Sequence, residues 1–333
     1  MDKISGKVRA ICISEKRGTV KHEVPSAVLI KDHGIEGDAH AGQWHRQVSL
    51  LTGSKVDEFN QKGANVSNGD FGENIIIDGF DVKELPIGSV LKIGNARLRL
   101  TQRGKECHSH CRIYKRMGDC IMPREGVFAE VLEGGRINEE DVVWVEYPKA
   151  DRPFTAAVIT LSDKASKGER EDSSGPAAAN ILKEHGYKII ETVLIPDDKE
   201  KLKNELIRLS DGRSADLIVT SGGTGFSLRD NTPEATLEVA DRNAPGIAEY
   251  MRFKSFEITD RAMLSRAASV IRGQTIIVNL PGSPKAVSEC LGFILKPLEH
   301  GIKILRGSVN ECANLPPEGK GKSEAADEVK NVP

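Results

Sequence analysis

Two aspartates and a run of glycines are the residues of this sequence best suited to chemistry. Asp230 lies in "TSGGTGFSLRDNTPEA", residues 220–235, where Gly222, Gly223 and Gly225 occupy three of four consecutive positions, and Asp197 lies in "IPDD". The glycine turn follows the strand-like run "DLIVTSG". It precedes "TPEATLEVAD", which reads as a helix with Thr232 at its N-cap, Pro233 in the first helical position and Glu234 in the first turn. Glycines at the carboxyl end of a strand let backbone N–H groups cradle a phosphate chain without interference from Cβ atoms. So short a motif is also compatible with a tight strand-to-helix turn that binds nothing.

More polar groups follow the neighbouring apolar runs. Ser162 and Asp163 end "TAAVITL", Asp197 and Asp198 follow "YKIIETVLI", and Pro281, Gly282 and Ser283 follow the strand Gln274–Leu280. A single Asp at a strand end is commonly a turn former or a cap. Carboxylates beside a glycine turn are also what Mg²⁺ and a triphosphate require, because Mg²⁺ bridges one or two carboxylates to phosphate oxygens. Arg229 reads either as a phosphate partner or as an exposed basic residue before a helix. Ser283 combines a helix cap with an anion site. A Walker A loop is excluded, since the only Gly-Lys-Ser, at 321–323, has Pro316 where the first glycine should stand; no Gly-x-Gly-x-x-Gly follows the first strand either.

A second cluster is "RGKECHSHC" at 103–111, with Cys120 beyond it. Three readings apply: a zinc site of unusual ligand spacing, buried reduced thiols, or a reactive thiol whose thiolate Lys105, His108 and Arg112 would favour. Six cysteines in 333 residues are too few for a disulfide framework.

The elements that must hold these groups divide near residue 150. Up to Tyr147 the chain is a series of short strand-like runs, "VRAICIS", "QVSLLT", "ENIIIDG", "SVLKIGNARLRLTQ" and "DVVWVEY", which predicts a mostly β, barrel-like domain. "YPKADRPF" reads as a linker over 148–154. From Thr155 to Arg306, β-branched runs alternate with helical spacing, as in Leu202, Leu206 and Leu209, and predict a doubly wound α/β domain with a parallel sheet covered on both faces. Residues 307–333 read as a disordered tail. With 47 basic and 49 acidic residues the net charge is −2, so no global field points to nucleic acid or an anionic membrane. No apolar run nears the ~20 residues of a membrane helix and no secretory core is present, so a cytoplasmic location is expected.

The order and spacing of "SDKASKGEREDSSGP", "IPDD", "TSGGTGFSLRDNTPEA", "PGIAEYMR" and "LSRAASVIRGQTIIVNLPGSPKAV" resemble the MogA/MoaB family of molybdenum cofactor biosynthesis across residues 155–306. The resemblance implies a doubly wound domain that assembles as a homotrimer. It also implies a molybdopterin adenylyltransferase that moves AMP from ATP, with Mg²⁺, to the terminal phosphate of molybdopterin. It places the two functional, metal-associated aspartates at Asp197 and Asp230. Gly222, Gly223, Thr224 and Gly225 fall on the nucleotide-phosphate region, and Ser221, Asp163, Pro281, Gly282 and Ser283 are read beside them as cofactor-binding residues. Glu249, Ser265 and Arg266 fall on the pterin side.

Likewise "GIEGDAHAG", "GDFGENIIIDG", "PIGSVLKIGNARLRLTQRGKECH" and "GVFAEVLEGGRINEEDVV" resemble a MOSC domain, the β-rich module of molybdenum cofactor sulfurases, across residues 1–147. The resemblance implies that Cys107 handles sulfur or contacts the molybdenum centre of a bound cofactor. The usual Arg-x-Pro-Cys is here Gly104-Lys105-Glu106-Cys107. His40 and His45 read as members of the same pocket or as turn and core histidines. Both halves point to one pathway, with a molybdenum-insertion protein or a molybdoenzyme as the expected partner. The alternative is a cofactor carrier without turnover, because fold and glycine loop serve binding equally well.

Overall fold

The structure, a computed structural model, describes residues 4–105, 107 and 111–307. His108, His110 and the tail after Gly307 lie outside the described residues.

In the first domain seven strands close into a barrel in the order Val142–Glu146, Val90–Ile93, Ala96–Arg103, Val127–Glu133, Val48–Thr52, Ile75–Asp78 and Ser5–Ile13, the last pairing back onto the first. All neighbours are antiparallel except Val48–Thr52 with Ile75–Asp78, which helix Gly53–Gln61 connects. Strands that alternate around a closed barrel send every second residue inward. Val8, Leu50, Ile75, Ile77, Leu91, Ile93, Leu98 and Leu100 accordingly fill the interior. A second cluster, including Cys12, Phe59, Ile76, Cys120 and Phe128, packs outside the barrel wall beneath helix Gly53–Gln61.

The second domain holds a six-stranded sheet in the order Lys188–Ile195, Thr155–Leu161, Leu217–Ser221, Thr275–Leu280, Ser269–Arg272 and Arg242–Asn243. The first four strands are parallel, and the last two add an antiparallel edge. In Thr155–Leu161, Ala156 and Val158 join the core beneath helices Ser174–Glu184, Pro245–Ser255 and Pro284–Leu305. Ala157, Ile159 and Leu161 join the core beneath Lys199–Ile207 and Thr232–Glu238. Both faces are thus covered, which is why these runs are almost uninterruptedly apolar. Leu202, Leu206 and Leu209 face the second of these cores together, as their spacing predicts.

Segment 148–154 is tied down. Arg152 donates to Asp216 at 3.0 Å, and Arg306, at the end of helix Pro284–Leu305, donates to both carboxylate oxygens of Asp216 (2.8 and 2.7 Å) and to the carbonyls of Arg152 and Pro153.

Candidate functional site

The carboxyl ends of the parallel strands gather four loops, 161–163, 196–198, 221–232 and 281–283, on one rim. Gly222 and Gly223 have φ of +105° and +65°, in the left-handed region that glycine enters without penalty. Space demands glycine as well: a Cβ on Gly222 would stand 2.5 Å from the Leu161 carbonyl oxygen, and one on Gly223 would stand 2.3 Å from Thr232 Oγ1. Gly282 approaches the same turn, its ideal Cβ position lying 3.5 Å from the Gly222 Cα.

Both sequence-assigned aspartates flank this turn. Asp197 Oδ1 is 3.6 Å from the ideal Cβ position of Gly223, and Asp230 Oδ2 is 2.9 Å from that of Gly225. Asp163 is the third carboxylate: its N–H donates to Asp197 Oδ2 at 3.0 Å, and the Asp197 N–H returns a bond to Asp163 Oδ1 at 3.1 Å. Burial, with the nearby charges of Asp163 and Asp230, pushes the Asp197 carboxyl above its ordinary range. Burial also acts to raise Asp163, but Arg229, which donates to both of its oxygens at 2.7 and 2.8 Å, and the Asp197 N–H outweigh that and hold it low. Among the described residues no group of three or more His, Cys, Asp or Glu side chains is placed to hold a metal by itself. A cation here would need ligand oxygens to complete its shell.

The turn's amides are unevenly engaged. Gly222 N–H donates to the Leu280 carbonyl at 3.3 Å, so it fixes the loop to the sheet. The N–H groups of Gly223, Thr224 and Gly225, and of Gly282 and Ser283, have no hydrogen-bond partner among the described residues. Buried or half-buried amides without partners are uncommon, and those of Gly223, Thr224 and Gly225 cluster between carboxylates, whereas Gly282 and Ser283 are exposed.

Several residues act by holding the rim. Arg266 donates to the Gly225 carbonyl at 2.7 Å, to the Asp230 carbonyl and to Glu234, while its own N–H reaches Thr224 O at 3.0 Å. Its fork is therefore occupied with the turn itself. Ser221 Oγ donates to Pro281 O at 3.0 Å, and Ser265 Oγ accepts from Ala267 N–H. Ser283 caps the 22-residue helix Pro284–Leu305 by accepting from Ala286 N–H. Thr232 is not the N-cap. Asn231 takes that position, and Thr232, the first helical residue, donates its hydroxyl instead to the Gly222 carbonyl at 3.0 Å. Glu249 stands exposed on helix Pro245–Ser255 and has no hydrogen bond to the rim among the described residues.

A second site lies in the first domain, a cavity of about 680 Å³ whose wall includes His40, Trp44, Arg46, Lys105, Cys107 and Cys120. His40 shares it with Cys107, whereas His45 bonds Gln102 at 2.9 Å and does not line it. Cys107 and Cys111 are exposed thiols and Cys120 is buried, so the buried-thiol reading fails for two of the three. The Arg46 guanidinium rests 4.8 Å from the Trp44 ring and 5.6 Å from Phe128, and its Nε has no hydrogen-bond partner among the described residues. Sequence reasoning missed both Arg46 and the buried pair Lys21 with Asp38, which accepts the Ser14 and His40 N–H groups and so shapes the loop carrying His40.

Comparison with known proteins follows this division. A family model described as a probable molybdopterin binding domain matches residues 157–300, and a MOSC domain model matches residues 37–144. The molybdopterin adenylyltransferase of Helicobacter pylori (strain J99) is 39% identical over 159 residues, covering 46% of this chain and 90% of that protein. The molybdopterin adenylyltransferase of Escherichia coli (strain K12) is 41% identical over 154 residues, covering 46% and 75%. The crystal structure of the molybdopterin biosynthesis enzyme MoaB from Thermus thermophilus is 41% identical, covers 46% of this chain and 97% of its own, and aligns with a TM-score of 0.45.

Proposed function

This chain belongs to the molybdopterin adenylyltransferase family through its second domain and carries a MOSC domain before it, and on that premise we propose that it adenylylates molybdopterin with Mg-ATP and holds a later cofactor form in its barrel. The terminal phosphate of molybdopterin attacks the α-phosphorus of ATP, the bond to the β-phosphate breaks, and pyrophosphate leaves. Two anions must meet, so the protein's task is to position them and neutralise charge.

The unpartnered amides of Gly223, Thr224 and Gly225, set between Asp197 and Asp230, carry this reading. They receive phosphate oxygens, and the free amides at the start of helix Pro284–Leu305 offer a second anion position. Arg229, paired with Asp163 in the free protein, exchanges that carboxylate for a phosphate. Asp197 and Asp230 would hold Mg²⁺ together with nucleotide oxygens, and the ion would supply the charge that three neighbouring carboxylates lack. The raised pKa of Asp197 fits this role, since a cation relieves the repulsion that raises it. Arg266 is a positioning residue that keeps the turn open, and Glu249 and Ser265 are assigned to the pterin side.

In the barrel, Cys107 is proposed to meet the molybdenum centre or its sulfur, with Lys105 and Arg46 facing the ligand's charge. The test of the first activity is AMP transfer and Mg²⁺-dependent pyrophosphate release by the full chain. The expected result is turnover in the wild type and a loss of about a hundredfold or more in Asp230→Asn. Wild-type activity no higher than that of the variant would leave the carrier reading in its place.

A further inference from the structure

Neither proposed activity uses the cleft between the two domains. It encloses about 700 Å³, and its wall includes Val90, Arg99 and Leu100 from the barrel and Lys188, Ile189 and Arg213 from the second domain. The volume is in the range of small-molecule sites.

The charges in this cleft are poorly matched. Arg99 is paired with Glu130. Arg213, only 6% exposed, has its two terminal nitrogens at the limit of hydrogen bonding, 3.5 Å from Glu191 Oε2 and from Ile190 O, and its buried Nε has no partner among the described residues. Lys188 has no carboxylate within ion-pair distance among the described residues. Lys188 is an exposed residue, yet partial desolvation and the like charges of Arg99 and Arg213, only partly offset by Glu130, lower its pKa. Over the whole wall Arg97, Arg99, Lys149, Arg152, Lys188 and Arg213 stand against Glu130, Glu146 and Asp151, an excess of cations beside apolar side chains that a bound anion would offset.

We propose that this cleft binds an amphipathic anion, a phosphate monoester on an apolar or aromatic body, with the phosphate against Lys188 and Arg213 and the body on Val90, Leu100 and Ile189. Both domains contribute to the site, so occupancy stabilises their docked arrangement.

The test is calorimetric titration of the full chain with phenyl phosphate. The expected isotherm contains a saturable one-to-one component that is at least about tenfold weaker with inorganic phosphate, which has no apolar body, and that Lys188→Met weakens by about tenfold. Lys188→Arg, which restores the charge, is expected to recover it. Binding at the glycine rim would persist in every variant and so subtract out. An isotherm unchanged by Lys188→Met, or the absence of any saturable component in the wild type, would overturn the proposal, and neither depends on AMP transfer.

Discussion

Asp163 and Asp197 clasp each other, each carboxylate accepting the other's backbone N–H at 3.0 and 3.1 Å across two parallel strands. The bonds set the spacing of their loops but place two negative charges side by side, and burial and this crowding raise the Asp197 pKa. A carboxyl raised in the folded state contributes stability below its ordinary value of 3.8, and that contribution is lost as pH rises through the folded value. Asp197→Asn cannot ionise. Its melting temperature in the absence of ligand is therefore expected to match the wild type near pH 3.5 and exceed it at pH 7, while AMP transfer falls. A melting difference that does not change with pH would contradict the assignment of the charge repulsion.

Gly223 and Gly282 approach the same turn but should respond differently to alanine. At Gly223 the added Cβ meets Thr232 Oγ1 at 2.3 Å in a left-handed backbone, so Gly223→Ala should destabilise by about 1–2 kcal/mol or more and stop transfer. At Gly282 the Cβ makes ordinary contact at 3.5 Å, so Gly282→Ala should keep the wild-type denaturation midpoint. Urea melts of the two variants check the contrast.

Lys21 and Asp38 have side chains only 1% exposed and depend on each other. Burial acts to raise Asp38, but Lys21 and the N–H groups of His40 and Ser14 hold its carboxyl below the ordinary range, so this part of the barrel's stability is present at neutral pH and lost as pH falls through the depressed value. Lys21→Met leaves the carboxylate buried and unpaired, at an expected cost of about 3–5 kcal/mol. Adding Asp38→Asn should return a large part of it, measured as a coupling energy in a double-mutant cycle.

Phe226, Leu228, Phe253 and Met263 are 69%, 103%, 66% and 67% exposed, and helix Pro245–Ser255 packs against the turn Asp260–Leu264 that carries Met263. Large exposed apolar side chains mark association surfaces. Sedimentation is expected to show a homotrimer that Phe253→Glu dissociates; a monomeric wild type at the same concentration would reject the trimer.

What the sequence made legible was local. Ser283 followed by proline reads as a cap because the capping amide lies three residues on, and the glycine turn reads as one because its glycines cluster within "GGTG", although the Leu161 and Thr232 atoms that exclude a Cβ there lie outside it. The two antiparallel edge strands, Ser269–Arg272 and Arg242–Asn243, escaped because short edge pairing has little periodicity to read. The bracing role of Arg266 escaped because its acceptors at 225, 230 and 234 meet only after the helix Thr232–Glu238 has folded back. Lys21 and Asp38, 17 residues apart, gave no signal at all: a buried ion pair has no sequence period, and each residue alone looks like surface. Thr232 was assigned the wrong duty for a similar reason, since the inward Gly222 carbonyl that captures its hydroxyl depends on a φ of +105°.

Asp216 receives Arg152 from the interdomain segment and Arg306 from the end of helix Pro284–Leu305, and Arg306 covers Phe154 at 4.6 Å. A joint fastened in this way is a strut on the side of the second domain, to which every one of these bonds belongs. In the function proposed, a product made on the glycine rim would have to diffuse to the barrel's thiol, and Asp216→Asn, which weakens the shared anchor of both arginines, should lower the melting temperature of the full chain while leaving AMP transfer at the rim unchanged.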